Sequence, residues 1–108
     1  MPTILEKTDL LRLAQTLADR EERTVSTLDG LNVNVTSYVG EYLAHKHPKA
    51  EFFLVLDGEL DLEFKGRIVT LSKGESIKVP EETVHKPSAR ARTLVMKIEP
   101  ADFPFEKV

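Results

Sequence analysis

HKHPKAEFFLVLDG, residues 45–58, decides how the rest of the chain is read. It holds His45 and His47, two of the three histidines in the chain, then Glu51, then an apolar run from Phe52 to Leu56. Alternate side chains of a β-strand share a face. His45, His47 and Glu51 have the same parity, so a single strand would aim two imidazoles and a carboxylate into one space. That expectation requires Pro48-Lys49-Ala50 to keep the strand in register. Two neutral nitrogens and a hard oxygen suit a divalent transition metal. His85, brought in from a neighbouring strand, completes a set of four ligands. Phe53 and Val55 share the ligand parity, while Phe52, Leu54 and Leu56 face the other way. A strand that is apolar on both sides needs cover on both sides.

Upstream of this stretch the pattern has period two. Arg23–Leu28 and Leu31–Val39 flank Asp29-Gly30, a strong two-residue hairpin signal. Leu31, Val33, Val35 and Val39 share one parity, and Asn32, Asn34 and Thr36 the other. Gly40 is expected to break the strand before the histidines. Further back, Leu10, Leu13, Ala14, Leu17 and Ala18 recur at helical spacing, predicting a helix over 9–20 capped by Thr8 or Asp9. Glu21-Glu22-Arg23 reads as a solvated charge run.

Downstream, Leu60, Leu62 and Phe64 alternate with Glu59, Asp61 and Glu63, the pattern of a half-buried strand. A hairpin at Lys65-Gly66 then pairs Leu62 with Val69 and Leu60 with Leu71. Ile77 and Val79 alternate up to Pro80, Thr83-Val84-His85 re-enters the sheet, and Leu94–Ile98 is the last clear strand. Phe103 and Phe105 are expected to dock one or both rings from a surface tail. One helix followed by about eight short antiparallel strands indicates an all-β barrel or sandwich.

Composition narrows the function classes. The chain has 108 residues, the size of one domain, and a formal net charge of −3 without a clustered basic excess, so nucleic acid is not an expected partner. It contains no cysteine, which excludes disulfides, zinc fingers and iron–sulfur clusters. MPTILEKTDLL lacks the basic and apolar regions of a signal peptide, and no apolar run reaches membrane-spanning length. The expectation is a cytoplasmic protein without membrane partners.

The ligand pattern resembles the cupin family. The first cupin motif, a glycine, H-x-H, a glutamate and a further glycine, stands here as Gly40-EYLA-His45-Lys46-His47-PKA-Glu51-FFLVLD-Gly58. The second stands as Gly74-ESIKV-Pro80-Glu81-Glu82-TV-His85-KPS-Ala89. The sequence departs from the pattern at three points: the gap between Gly40 and His45 is one residue short, Glu82 replaces a glycine, and Ala89 replaces an asparagine. None of these removes a ligand. The resemblance covers about residues 31–98.

It implies a small single-domain cupin, a double-stranded β-helix of the jelly-roll type with a short N-terminal helix. The expected parts are a helical lead-in over about 1–22, a barrel over about 23–98 and a tail over 99–108. It also implies one divalent transition metal per chain, Fe, Mn, Ni, Cu or Zn, held by His45, His47, Glu51 and His85 with two positions left for water or substrate. Tyr38, Phe53 and Val55 are the expected pocket residues. Tyr42, Lys46, Lys78, Glu81, Glu82, Arg90 and Arg92 lie near the motifs as further candidates for acid, base or anion-clamp roles, with surface or core roles as the alternative.

The family hosts many chemistries. The leading expectation is a metal-dependent enzyme acting on a small anionic organic molecule, with dioxygenase-like chemistry. The alternatives are a non-catalytic module that binds or senses a small ligand, and a non-redox isomerase or lyase. A homodimer formed through the Phe52, Leu54 and Leu56 row is expected, with cover by the 9–20 helix as the competing explanation.

Overall fold

The computed structural model describes residues 5–102 and the backbone of 106–107. The expected docking of Phe103 and Phe105 lies outside the described residues.

Among the described residues one short helix, α1 (Leu10–Gln15), precedes strands β1 (Glu22–Leu28), β2 (Leu31–Glu41), β3 (His45–Lys46), β4 (Glu51–Asp57), β5 (Glu59–Phe64), β6 (Arg67–Ser72), β7 (Ser76–Val79), β8 (Lys86–Pro100) and β9 (Glu106–Lys107). Their pairing is antiparallel throughout, with order β1-β2-β8-β4-β7, while β5 joins β6 to β8 and β3 pairs with β9. The long strand β8 organises this arrangement. Its first residues pair with β5 and its last with β4, and β2 runs along its other edge. This is the cupin double-stranded β-helix.

Local chemistry sets the turns. Asp29 and Gly30 both take positive φ, 48° and 77°, as a tight hairpin of primed type needs, and Leu28 pairs with Leu31 across it. Leu62 pairs with Val69 and Leu60 with Leu71, the register fixed by parity and the Lys65-Gly66 turn. Gly58 (φ 95°) is required by both backbone and space, because a Cβ there would stand 2.7 Å from the Thr93 hydroxyl. Gly40 does not end β2; it forms a bulge, with a register shift between Tyr38 and Gly40, and pairing continues to Glu41.

The helix is shorter than its hydrophobic period predicts. Asp9 caps it by accepting from the Arg12 amide at 3.1 Å. At the other end the Thr16 hydroxyl donates to Leu13 O at 2.7 Å, a local bond that competes with helix continuation. Arg20 then enters the left-handed region at φ 67°. Ala14 and Leu17 are buried against Val35 and Leu94, with Leu56 and Met96 packed at the margin. The helix therefore covers the Leu56 end of the outward row of β4. Phe52 lies instead in an apolar groove with Leu31 and Ile98.

A second core fills the barrel: Tyr38, Phe53, Val55, Leu60, Leu62, Leu71, Val79, Ala89 and Val95. The two faces of β2 meet different cores. Val35 faces the helix, whereas Thr36 and Tyr38 face the barrel cavity. The barrel interior near the site is thus polar on the β2 side. No helix among the described residues is long and apolar enough to cross a membrane.

Candidate metal centre

The four predicted ligands converge, though not from one strand. Pro48-Lys49-Ala50 interrupts the pairing: His45 belongs to β3, His47 to the loop that follows, and Glu51 opens β4. His45 and His85 are joined directly as a backbone pair, with His45 N donating to His85 O at 3.0 Å and His85 N to His45 O at 2.9 Å. The Glu82 amide donates to His47 O at 2.7 Å, so the loop before His85 also fixes the height of His47. Glu51 is set by pairing with Val79 of β7. The glycine expected at position 82 is absent, yet Glu82 keeps the left-handed backbone, with φ 57°. The turn shape survives the substitution.

One ligand atom from each of His45, His47, Glu51 and His85 lies within 4.8 Å of all the others. His47, Glu51 and His85 are buried, His85 at 1% exposure, and His45 is half-buried. The Nδ1 atoms of His45 and His85 each lie 2.8 Å from a backbone oxygen, of Leu43 and Thr83 respectively. Those bonds assign the Nδ1–H tautomer and leave Nε2 as a lone-pair donor, the arrangement by which backbone carbonyls orient metal-ligating histidines.

The chemistry of the donor set tests whether a metal fits. His85 Nε2 stands 2.8 Å from Glu51 Oε1, and His47 Nε2 stands 3.5 Å from the same oxygen. Glu51 Oε1 and His85 Nε2 are both buried without a hydrogen-bond partner. Two acceptors pressed together in a dry site repel unless a cation, a proton or a metal, sits with them. The residues fit a divalent ion.

The electrostatics agree. Burial alone would push the Glu51 carboxyl up, but His85, Lys97 and His47 outweigh it and hold it below the usual range. Burial pushes the His45 imidazole down, which favours the neutral, ligating form; the Leu43 carbonyl opposes this, and the other two histidines reinforce it.

A cavity of about 360 Å³ opens beside the cluster, lined by His45, His47 and Glu51 together with Phe53, Tyr38 and Tyr42. The wall beside Glu51, built from β1, β2 and β8, was not read from the sequence. The Lys97 ammonium, 13% exposed, lies 2.7 Å from Glu22 and 4.0 Å from Glu99. Thr36 donates to Glu22 at 2.7 Å and Asn34 to Glu99 at 2.8 Å. Glu22 therefore lines the cavity while staying exposed, as a solvated charge run implies, with its side chain 40% accessible. Burial raises the Glu99 carboxyl to about 7 despite Lys97. Burial also raises the Tyr38 hydroxyl, so it stays a protonated donor. The available signal was the shared parity of Asn34, Thr36 and Tyr38, with Lys97 opposite Asn34 in the next strand.

The other expected residues sort clearly. Tyr38 and Phe53 line the cavity; Val55 lies further along β4, paired with Val95, and is buried in the core outside the lining. Lys46 points to Glu82 at 3.5 Å, and Lys78 borders the Phe52 groove. Arg90 lies outward beside Asp61, and Arg92 pairs with Asp19 and donates to Ala14 O and Gln15 O at the end of α1. Neither arginine lines the cavity.

The comparisons with known proteins point the same way. The family model described as "Cupin domain" matches residues 36–98. An uncharacterized protein of Bacillus subtilis (strain 168), YdbB, is 31% identical over 94 residues, spanning 84% of this chain and 83% of that one. The crystal structure of a cupin-2 domain containing protein from Shewanella frigidimarina superposes with a TM-score of 0.78 at 27% identity, over 82% of this chain and 88% of the other. Hydroquinone 1,2-dioxygenase PnpCD, solved with Cd2+ and 4-hydroxybenzonitrile, shares the fold at a TM-score of 0.74 and 17% identity, over 93% of this chain and 80% of the other.

Proposed function

The chain belongs to the cupin family, and from that premise we propose that it is a metal-dependent enzyme acting on a small anionic organic substrate, with dioxygenase-like chemistry. His45, His47, Glu51 and His85 would hold one divalent transition metal. The observation that carries this reading is the buried meeting of His85 Nε2 and Glu51 Oε1 at 2.8 Å, which calls for a cation. When bound, such a metal supplies Lewis acidity and, if it is Fe, Mn, Ni or Cu, redox chemistry.

The chain's own residues do the rest. Three neutral imidazoles and one carboxylate leave a divalent ion with net positive charge, which favours an anionic oxygen at the site. Phe53 supplies an apolar stretch of the cavity lining, and the protonated Tyr38 hydroxyl offers a donor in the same cavity. The fold shared with a hydroquinone dioxygenase supports the oxygen-using version of the reading.

The test is a substrate screen with oxygen-uptake readout on protein loaded with each metal in turn. Turnover of an organic acid, phenol or enol, lost in the Glu51→Gln variant, is the expected result. If loaded protein binds such a molecule but consumes neither it nor oxygen, the binding-module reading replaces the enzyme.

The same reading takes the protein to be a single-domain, cytoplasmic homodimer. The apolar groove holding Phe52, Leu31 and Ile98 supports pairing, since Leu31 is 42% exposed at its edge. Sedimentation at high micromolar concentration decides; a clean monomer rejects the dimer.

A further inference from the structure

The cavity is lined by two cations, Lys97 and Arg20, and they are in opposite situations. Lys97 is committed to Glu22 and Glu99. Arg20 is exposed and, among the described residues, forms no ion pair with a carboxylate. It is nevertheless held in place. Its backbone sits at φ 67°, an unfavourable region for an arginine, fixed by its amide donating to Ser37 O at 2.8 Å. Its guanidinium carbon lies 3.9 Å above the centre of the Tyr42 ring. Its Nη1 donates to Val39 O and, at 3.4 Å, to Glu41 O, the carbonyls on either side of the Gly40 bulge.

Those contacts use one nitrogen and one face. A guanidinium carries five N–H donors, and the edge formed by Nε and Nη2 is the fork that matches a carboxylate with two parallel bonds. A pre-positioned arginine with that edge unused, at the mouth of a cavity whose inner end is a metal cluster, is arranged to recognise an anion.

Resting on the metal-centre reading above, we propose that Arg20 is a specificity-determining residue that binds a second carboxylate of the substrate, so that the substrate is a small organic diacid. One acidic group meets the metal end, and the other meets the Arg20 edge. Lys97, already paired with Glu22 and Glu99, is not available to bind the second acid, which leaves Arg20.

Zinc-loaded protein is diamagnetic and permits a direct test by NMR. The Arg20 Nε–H resonance is assigned by its loss in the Arg20→Lys variant. The probes are malonate, succinate and glutarate, each against the monocarboxylate of equal chain length. At least one diacid should shift the Arg20 resonance to saturation and bind about tenfold or more tighter than its monoacid, the gain expected of a charge-assisted bidentate pair. Arg20→Gln should abolish that advantage and leave monoacid affinity and zinc stoichiometry unchanged. Arg20→Lys should retain part of it.

A purely structural arginine would behave differently: Arg20→Gln would then lower the melting temperature and weaken both classes of acid alike, which overturns the proposal. So does a diacid that shifts the His45 and His85 signals while leaving Arg20 unmoved, although the metal reading then stands. Failure to take up zinc removes the metal reading and this inference with it.

Discussion

Lys97 carries the electrostatic load of the cavity wall, and Lys97→Met is the substitution that measures it. The ammonium is 13% exposed and stands 2.7 Å from Glu22 and 4.0 Å from Glu99. At an effective dielectric constant of about 20 those separations correspond to gross attractions of about 6 and about 4 kcal/mol. Desolvation of the lysine offsets much of this, and solvent screens Glu22, whose side chain is 40% exposed; the loss therefore falls below that of breaking a fully buried pair, about 3–5 kcal/mol, and comes to about 2–3 kcal/mol.

The loss should depend on pH in a defined direction. Burial works against the charged lysine, but Tyr38, Glu22 and Glu99 raise its pKa well above the ordinary value of 10.5. A cation with a raised folded-state pKa contributes stability that is fully present below its unfolded value, hence at every pH used here. Glu99 modulates the penalty. Its carboxyl, raised to about 7, is neutral in acid, so the variant leaves one anion fewer unpaired at pH 5 than at pH 8.

Urea denaturation should therefore show Lys97→Met destabilised by about 2–3 kcal/mol at pH 8 and by clearly less at pH 5. A cost below about 1 kcal/mol at pH 8, the range of exposed pairs, or a larger cost at pH 5, would refute the reasoning.

Other expected outcomes are simpler. His47→Ala should cut metal affinity far more than Lys46→Ala, because Lys46 points away to Glu82 in an exposed pair worth at most about 1 kcal/mol; calorimetric titration with zinc reads both. Glu82→Gly should stabilise the metal-free protein by about 0.5–1 kcal/mol, since a side chain at φ 57° costs about 1–2 kcal/mol and the freer unfolded glycine returns part of it; thermal melts check the sign. Metal occupancy should fall between about pH 7 and pH 4 as the imidazoles take up protons. Burial holds the His45 imidazole below its ordinary value and so favours its ligating form; flat occupancy across that range would exclude three-histidine ligation.

Much of this architecture was legible because turns and parity constrain each other. The Lys65-Gly66 turn fixed which residues of β5 and β6 face inward, and Leu60 and Leu62 landed in the core with their expected partners. The ligands were legible as residue types at meaningful spacing, although the strand thought to carry them is broken at Pro48.

What the sequence hid was an inside that is not apolar. Val33 and Val35 suggested the core face of β2, but Val35 packs under α1 while Thr36 and Tyr38 line the cavity. Glu22 is solvated yet also reaches the cavity, a role hidden because its partner, Lys97, is distant in sequence. Residues 86–93 lack apolar alternation, yet they form the first half of β8, where Pro87 and Ala89 supply small buried surfaces. Arg20 gave no local warning, since its residue type does not announce a left-handed backbone.

The central claim is a metal centre built from His45, His47, Glu51 and His85, and elemental analysis tests it most directly. Protein purified without added metal, and the same protein reconstituted and desalted, should carry about one divalent transition metal per chain, as the closed set of four donors implies. The His85→Ala and Glu51→Gln variants should lose it while remaining folded by circular dichroism. Absence of metal from both native and reconstituted wild-type protein, or full retention in both variants, would contradict the account.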